Sequence, residues 1–178
     1  MAENNFVVNR MTIDYNLKPF DCGDSDINDF LLNDAHLYLK EHLSVTYIIE
    51  NDIDTIAYFS VQNDKIALND FATGNQFNNA RKQIPRKKMH KSYPAVKIGR
   101  LGVSQKYSGQ GYASMLIDYI KILFVTDNRT GCRFMLVDSY LERIGMYEKC
   151  GFKLLKKIDD SSPTQLMYCD LIILKNFN

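Results

Sequence analysis

The stretch Ser104-Gln-Lys-Tyr-Ser-Gly-Gln-Gly-Tyr-Ala-Ser114 carries two glycines and runs directly into the apolar segment Met115 to Phe124. A strand candidate, Ala95 to Val103, stands immediately before it. Glycine costs backbone entropy, so a pair of glycines at a helix mouth is favourable only where the chain turns through left-handed conformations or brings its amides close to another group. Strand, glycine turn and helix in succession point to a layered α/β arrangement in which the helix covers a sheet. The amides of such a turn, aided by the helix dipole, suit an anion such as a phosphate. A tight strand-to-helix turn with no ligand is the other reading of the same residues.

Two phosphate motifs are excluded. No Lys-Ser/Thr pair follows Gly111, and Ser114 occupies the place where a dinucleotide fingerprint needs its third glycine.

The 178 residues, 46% hydrophobic and 24% charged, can bury one sizeable core, and we read a single domain. A net charge of +1 names no partner, but the charge is unevenly spread. From Arg81 to Arg100 there are eight basic and no acidic residues, which leaves 14 of the 22 basic residues to face all 21 acidic ones elsewhere. The girdle Arg81, Lys82, Arg86, Lys87, Lys88 and Lys91 is either a solvated loop or a surface that contacts phosphates. Cys22, Cys132, Cys150 and Cys169 form no C-x-x-C pair and do not join the histidines at ligand spacing, so neither a metal site nor a disulfide framework is expected. The N-terminus lacks a signal-peptide pattern and no apolar run reaches spanning length, which predicts a cytoplasmic protein with no membrane partner.

Hydrophobic periodicity predicts a strand at Phe6 to Arg10, then a turn, Phe20-Asp-Cys-Gly-Asp-Ser25, with Asp and Ser available as helix caps. Ile27, Phe30, Leu31, Ala35 and Tyr38 mark a helix to about Lys40. Ser44 to Glu50 and Thr55 to Gln62 are β-branched and aromatic runs that read as a hairpin. Asn69 to Pro94 reads as a loop with one short helical piece. After the strand and helix of the glycine segment come a strand at Arg133 to Asp138, a helix at Leu141 to Lys149 stopped by Gly151, and strands at Phe152 to Lys157 and Gln165 to Leu174. The order β-α-β-β-β-α-β-α-β-β predicts an α/β domain with a mixed sheet.

Ile98-Gly-Arg-Leu-Gly-Val103, Gly109-Gln-Gly-Tyr-Ala113, Phe134-Met-Leu-Val137 and Met146-Tyr-Glu-Lys-Cys-Gly-Phe152 occur in this order and spacing. Together, over about Leu43 to Lys157, they resemble the GNAT superfamily of acyl-CoA N-acyltransferases. The resemblance implies a mixed, mostly antiparallel central sheet flanked by helices, with acetyl-CoA as cosubstrate. It assigns the CoA diphosphate to Ser108, Gly109, Gln110, Gly111, Ala113 and Ser114, and the pantetheine to the strand Leu101, Gly102 and Val103. The Val103 amide would meet the thioester carbonyl, and Tyr147 matches the usual general acid. Two positions depart from the pattern: Ser108 stands where Gln or Arg is usual, and Tyr140 replaces a common Asn. These departures are the only hints of a catalytically inactive binding or regulatory module on the same fold.

Phe20-Asp-Cys-Gly-Asp-Ser-Asp26, Ile84-Pro-Arg86, Gly99-Arg-Leu-Gly-Val103 and Leu136-Val-Asp138 look like the branch that contains toxins of toxin-antitoxin pairs. That likeness implies an aminoacyl-tRNA acceptor and an antitoxin partner, and a homodimer is compatible with it; the charge pattern offers Arg86, Lys87 and Lys88 as contacts, and Arg100 either faces the cleft or sits in a strand-end salt bridge. Acetyl transfer needs a neutral amine, a donor for the acyl oxygen and a proton for the departing sulfur. No residue is marked as a general base, and Asp138 reads as structural. A lysine amine, with a pKa of about 10.4, needs a base far more than an α-amine near 8, so the gap leans toward an α-amino acceptor.

Overall fold

The structure, a computed structural model, describes residues 6–82, 84, 90–126 and 130–172. Seven strands hydrogen-bond in the order β1-β2-β3-β4-β5-β7-β6. They are β1 (Val7–Arg10), β2 (Val45–Glu50), β3 (Thr55–Ala67), β4 (Ser92–Val103), β5 (Phe134–Tyr140), β6 (Lys153–Leu154) and β7 (Thr164–Asp170). The helices are α1 (Ser25–Asp29), α2 (Ala35–Lys40), α3 (Gly74–Ala80), α4 (Tyr112–Thr126) and α5 (Ile144–Lys149). This is an α/β fold with a mostly antiparallel sheet, as the sequence predicts. Contacts gather into two compact units, Met1–Gln62 with Ile98–Leu116, and Asn63–Lys97 with Ile117–Asn178.

In the first unit β1 and β2 are antiparallel, Val7 facing Glu50 and Arg10 facing Tyr47. β2 and β3 form the expected hairpin, with a register shift at Ile49/Glu50. Asp24 caps α1, its carboxylate accepting from the amides of Asp26 and Ile27. The helix expected from Ile27 to Lys40 is interrupted by a π-helical turn, Phe30–Asp34, which separates α1 from α2. In that turn the Ala35 amide reaches the Phe30 carbonyl, five residues back, so Phe30 and Ala35 share one buried face. The added residue rotates α2 about its axis, and Tyr38 emerges 38% exposed rather than in the core. Met11, Phe30, Leu31, Ala35, Ile48 and Tyr58 form the core of this unit.

The second unit is built on the antiparallel pair β5 and β7, in register from Phe134 opposite Asp170 to Tyr140 opposite Thr164. Its core holds Ile66, Phe71, Phe77, Tyr93, Ala95, Phe134, Leu136 and Leu155. Within Asn69 to Pro94 the one short helical piece expected is α3, capped by Thr73, and β4 begins at Ser92, earlier than the strand expected from Ala95. The strand expected over Phe152 to Lys157 shrinks to two residues. Leu155 turns inward to 1% exposure, and its amide and carbonyl bond to Leu166 and Ala72, after which the chain is exposed. β7 ends at Asp170, whose carboxylate caps the Ile172 amide, so the expected extension to Leu174 fails at 171, and 173–174 lie outside the described residues.

Gly102 fixes how closely α1 approaches β4. A Cβ there would lie 2.8 Å from Ile27 Cγ2, 2.9 Å from Tyr58 Cε1 and 3.1 Å from Phe20 Cζ. These atoms belong to packed side chains that cannot swing away. Gly102→Ala is therefore expected to destabilise the protein by about 1–3 kcal/mol through overpacking, read as a lower urea midpoint at unchanged slope.

Candidate active site

The end of β4 leads into the glycine loop through a sequence of local bonds. The Ser104 amide pairs with Ile56 O of β3 at 2.9 Å, and a short 3-10 turn, Gln105–Tyr107, comes next. Amides alternate in direction along a strand, so the Val103 N–H points to the edge of β4 opposite β3. The Gln105 amide is tied to Asp21 O at 2.8 Å, and the Ser108 amide donates to Gln105 O at 3.1 Å. Ser108 thus offers a ligand its hydroxyl as donor rather than its amide.

Beyond it, Gly109 and Gly111 have φ of 74° and 85°, conformations that L side chains rarely adopt. The first bond of α4 is Met115 N–H to Gly111 O, 3.1 Å. Among the described residues no protein acceptor meets the amides of Gly109, Gln110, Gly111, Ala113 and Ser114. A Cβ built on Gly109 or Gly111 would meet nothing within 4 Å. Open space lined by unanswered amides at the start of a 15-residue helix fits a diphosphate group in charge and in room.

The loop is held from both ends. Tyr107 Oη accepts from Asn51 Nδ2 at 2.8 Å and donates to Asp54 Oδ2 at 2.8 Å, while Lys106 pairs with the same carboxylate. Asn51 in turn organises the β2–β3 turn, its Oδ1 accepting from the amides of Ile53 and Asp54. The bonds from Lys106 and then Tyr107 hold the Asp54 carboxyl below the usual carboxylate range, so the clamp persists through neutral pH and opens only on acidification below that range. The Tyr107 ring also meets Tyr112, the first residue of α4, edge-on at 6.1 Å. Sequence reasoning missed this clamp. Asn51-Asp-Ile-Asp54 reads as turn chemistry, and nothing local links it to a tyrosine 53 residues on.

Arg100 lies on the face of β4 that also bears Gly102. Its guanidinium is 3.4 Å from Asp26, donates to Gly99 O at 2.9 Å and rests 5.2 Å from the centre of the Phe30 ring. The head is therefore oriented, and the side chain is still 37% exposed. Arg86, Lys87 and Lys88 lie outside the described residues; of the girdle, Lys82 and Lys91 are exposed.

In the second unit Tyr147 sits on α5 and is buried, its ring meeting Phe152 edge-on at 5.4 Å. Burial pushes its hydroxyl up to about 12, an effect that Cys150 adds to and Arg143 opposes. No protein group among those described bonds to that hydroxyl. Asp138 pairs with Lys97 at 2.5 Å, which agrees with a structural role. The described residues hold no cluster of His, Cys, Asp and Glu suited to a metal, and no helix among them is long and apolar enough to cross a membrane.

A model of the acetyltransferase (GNAT) domain matches residues 44–154, well over half the chain, and the chain belongs to that family, the class of enzymes that take an acetyl group from acetyl-CoA. Comparison with curated proteins returns no match. Solved structures of similar fold include a Tyr-to-Phe variant of KacT, 18% identical, TM-score 0.76, covering 97% of this chain and 99% of that one. AtaT complexed with acetyl-methionyl-tRNAfMet is 17% identical, TM-score 0.74, with 97% and 99% covered. AtaTR bound with acetyl-CoA is 18% identical, TM-score 0.73, with 97% of both chains covered.

Two of the buried tyrosines, Tyr58 and Tyr147, provide a physical check. Tyr58 Oη donates to Ile27 O at 2.6 Å in the core, so Tyr58→Phe is expected to cost about 1–3 kcal/mol. Tyr147→Phe deletes a hydroxyl without a partner and should stay within about 0.5 kcal/mol of the parent at neutral pH. A folded pKa above the unfolded value makes stability fall as pH rises from about 10 toward 12, so the Phe variant should outlast the parent there. Denaturation series at both pH values check these expectations.

Proposed function

We propose that this chain is an N-acetyltransferase in which the acceptor amine attacks the thioester directly, with Tyr147 as general acid and an aminoacyl-tRNA α-amine as acceptor. The observation that carries the reading is the row of unanswered amides at Gly109, Gln110, Gly111, Ala113 and Ser114 within the segment the family model matches. These amides, with the Ser108 hydroxyl, hold the diphosphate. Leu101, Gly102 and Val103 present the strand edge that pairs with the pantetheine, and the Val103 N–H donates to the acyl oxygen as it gains charge. Acetyl-CoA supplies the acetyl group and leaves as the free thiol.

In balance, a bond forms between the amine nitrogen and the acyl carbon, the carbon–sulfur bond breaks with its electron pair going to sulfur, and that sulfur takes the Tyr147 proton. The nitrogen sheds one proton to water, and Tyr147 regains one from solvent. A hydroxyl whose pKa is raised to about 12 keeps its proton across the working range, which suits an acid rather than a base.

The acceptor reading draws on three supports. One is the basic segment around Arg86, Lys87 and Lys88, with Arg100 oriented on β4. Another is the absence of a marked base. The third is the fold likeness to AtaT, whose structure was determined with acetyl-methionyl-tRNAfMet. By the same likeness an antitoxin is the partner expected, since AtaT is also known bound to the C-terminus of AtaR.

Tyr147→Phe is expected to lower kcat by about 10²-fold or more with the acetyl-CoA dissociation constant unchanged. An inactive binding module would show no turnover in either protein. Turnover should rise with loss of the acceptor's proton, level off above about pH 8 for an α-amine, and show no alkaline decline below about pH 10. A rise that continues toward pH 10 would point to a lysine-type amine. Transfer of labelled acetyl to charged tRNA, amino acids, peptides and polyamines compares the acceptors directly, and Lys87→Glu with Lys88→Glu should slow only the tRNA reaction.

A further inference from the structure

Lys121 has no task in the chemistry above, yet it is one of the few charged residues in the interior, only 6% exposed on α4. A buried ammonium is costly unless its donors are answered. Here Nζ lies 3.0 Å from Asp118 Oδ1, donates to the Cys150 carbonyl at 2.6 Å and stands 6.0 Å from the centre of the Phe152 ring. Cys150 is the residue that ends α5, the six-residue helix that carries Tyr147.

So short a helix leaves most of its carbonyls to be satisfied from outside the helix. Gly151, at φ 82°, reverses the chain, so that its amide reaches Glu148 O at 2.8 Å and the Phe152 amide reaches Tyr147 O at 3.0 Å. Lys121 answers the Cys150 carbonyl, and its cation complements the negative end of the helix dipole. The Phe152 ring beside it meets the Tyr147 ring at 5.4 Å and 71°. Two short routes, one through the backbone and one through rings, therefore connect Lys121 to Tyr147. Packing alone does not require a lysine, because a methionine of equal length fills apolar surroundings without the desolvation cost.

We propose that Lys121 is a positioning residue for the reaction: its ammonium pins the Cys150 carbonyl and the Phe152 ring and thereby sets the direction of the Tyr147 hydroxyl. This rests on the reading of Tyr147 as the acid. The test is a double-mutant cycle in the full chain, with turnover measured on the best acceptor found. K121M is expected to lower kcat about ten- to a hundredfold, as misplacing a reacting group does, while the KM for acetyl-CoA stays within about twofold. K121R, which keeps donors and charge, should recover most of that loss. In the Y147F background K121M should cost nothing further in kcat, although any loss of thermal stability should be the same in both backgrounds.

Equal kcat losses in both backgrounds, or an unchanged kcat in K121M, would overturn the proposal. If K121M does not fold, K121Q, a shorter neutral donor, replaces it in the same cycle and is read in the same way. A Y147F protein with full turnover would instead defeat the assignment of the acid, which keeps the two failures apart.

Discussion

Five main-chain amides between Gly109 and Ser114 find no acceptor among the described residues, and the bonds of Tyr107 hold the loop that carries them. Unanswered amides cost little while water reaches them, and much more once a ligand excludes that water without replacing its hydrogen bonds. The loop is therefore suited to a ligand that brings its own acceptors, as a diphosphate does. Two glycines at positive φ give the loop its path, and the Tyr107 bridge to Asn51 and Asp54 fixes its near end. Such preorganisation lowers the ordering cost that binding would otherwise incur.

The second unit handles a different requirement. A phenol that is to donate a proton needs a pKa above the working pH, which an ordinary tyrosine near 10 already has and burial raises further, and a partner set that leaves its hydroxyl unengaged. Tyr147 meets both, with Phe152 against its ring and no hydrogen bond to its oxygen among the described residues. The helix that carries it is only six residues long, so its direction depends on what closes its C-terminal end. Gly151 and Lys121 share that work, one through backbone conformation and the other through charge.

The glycine loop, the hairpin, the Asp24 cap and the Tyr147-to-Phe152 motif were all legible in the sequence, because each rests on residues within a few positions of one another. What was not legible depends on distant pairs or on an added residue in a regular element. The π turn at Phe30–Asp34 shifts Tyr38 outward, and periodicity counted at 3.6 residues per turn cannot register that shift. β6 stops after Leu154 because Leu155 is claimed by the core, a tertiary effect that β-propensity does not carry. The acceptor for the Ser108 amide, the Asp54–Tyr107 bridge and the Lys121–Cys150 contact likewise appear only once the chain is folded.

The most direct test tracks backbone amide resonances of the ¹⁵N-labelled protein as CoA is added. Downfield shifts concentrated at Gly109, Gln110, Gly111, Ala113 and Ser114, and absent when pantetheine lacking the diphosphate replaces CoA, are the predicted result. CoA binding that leaves those five resonances in place would contradict the account.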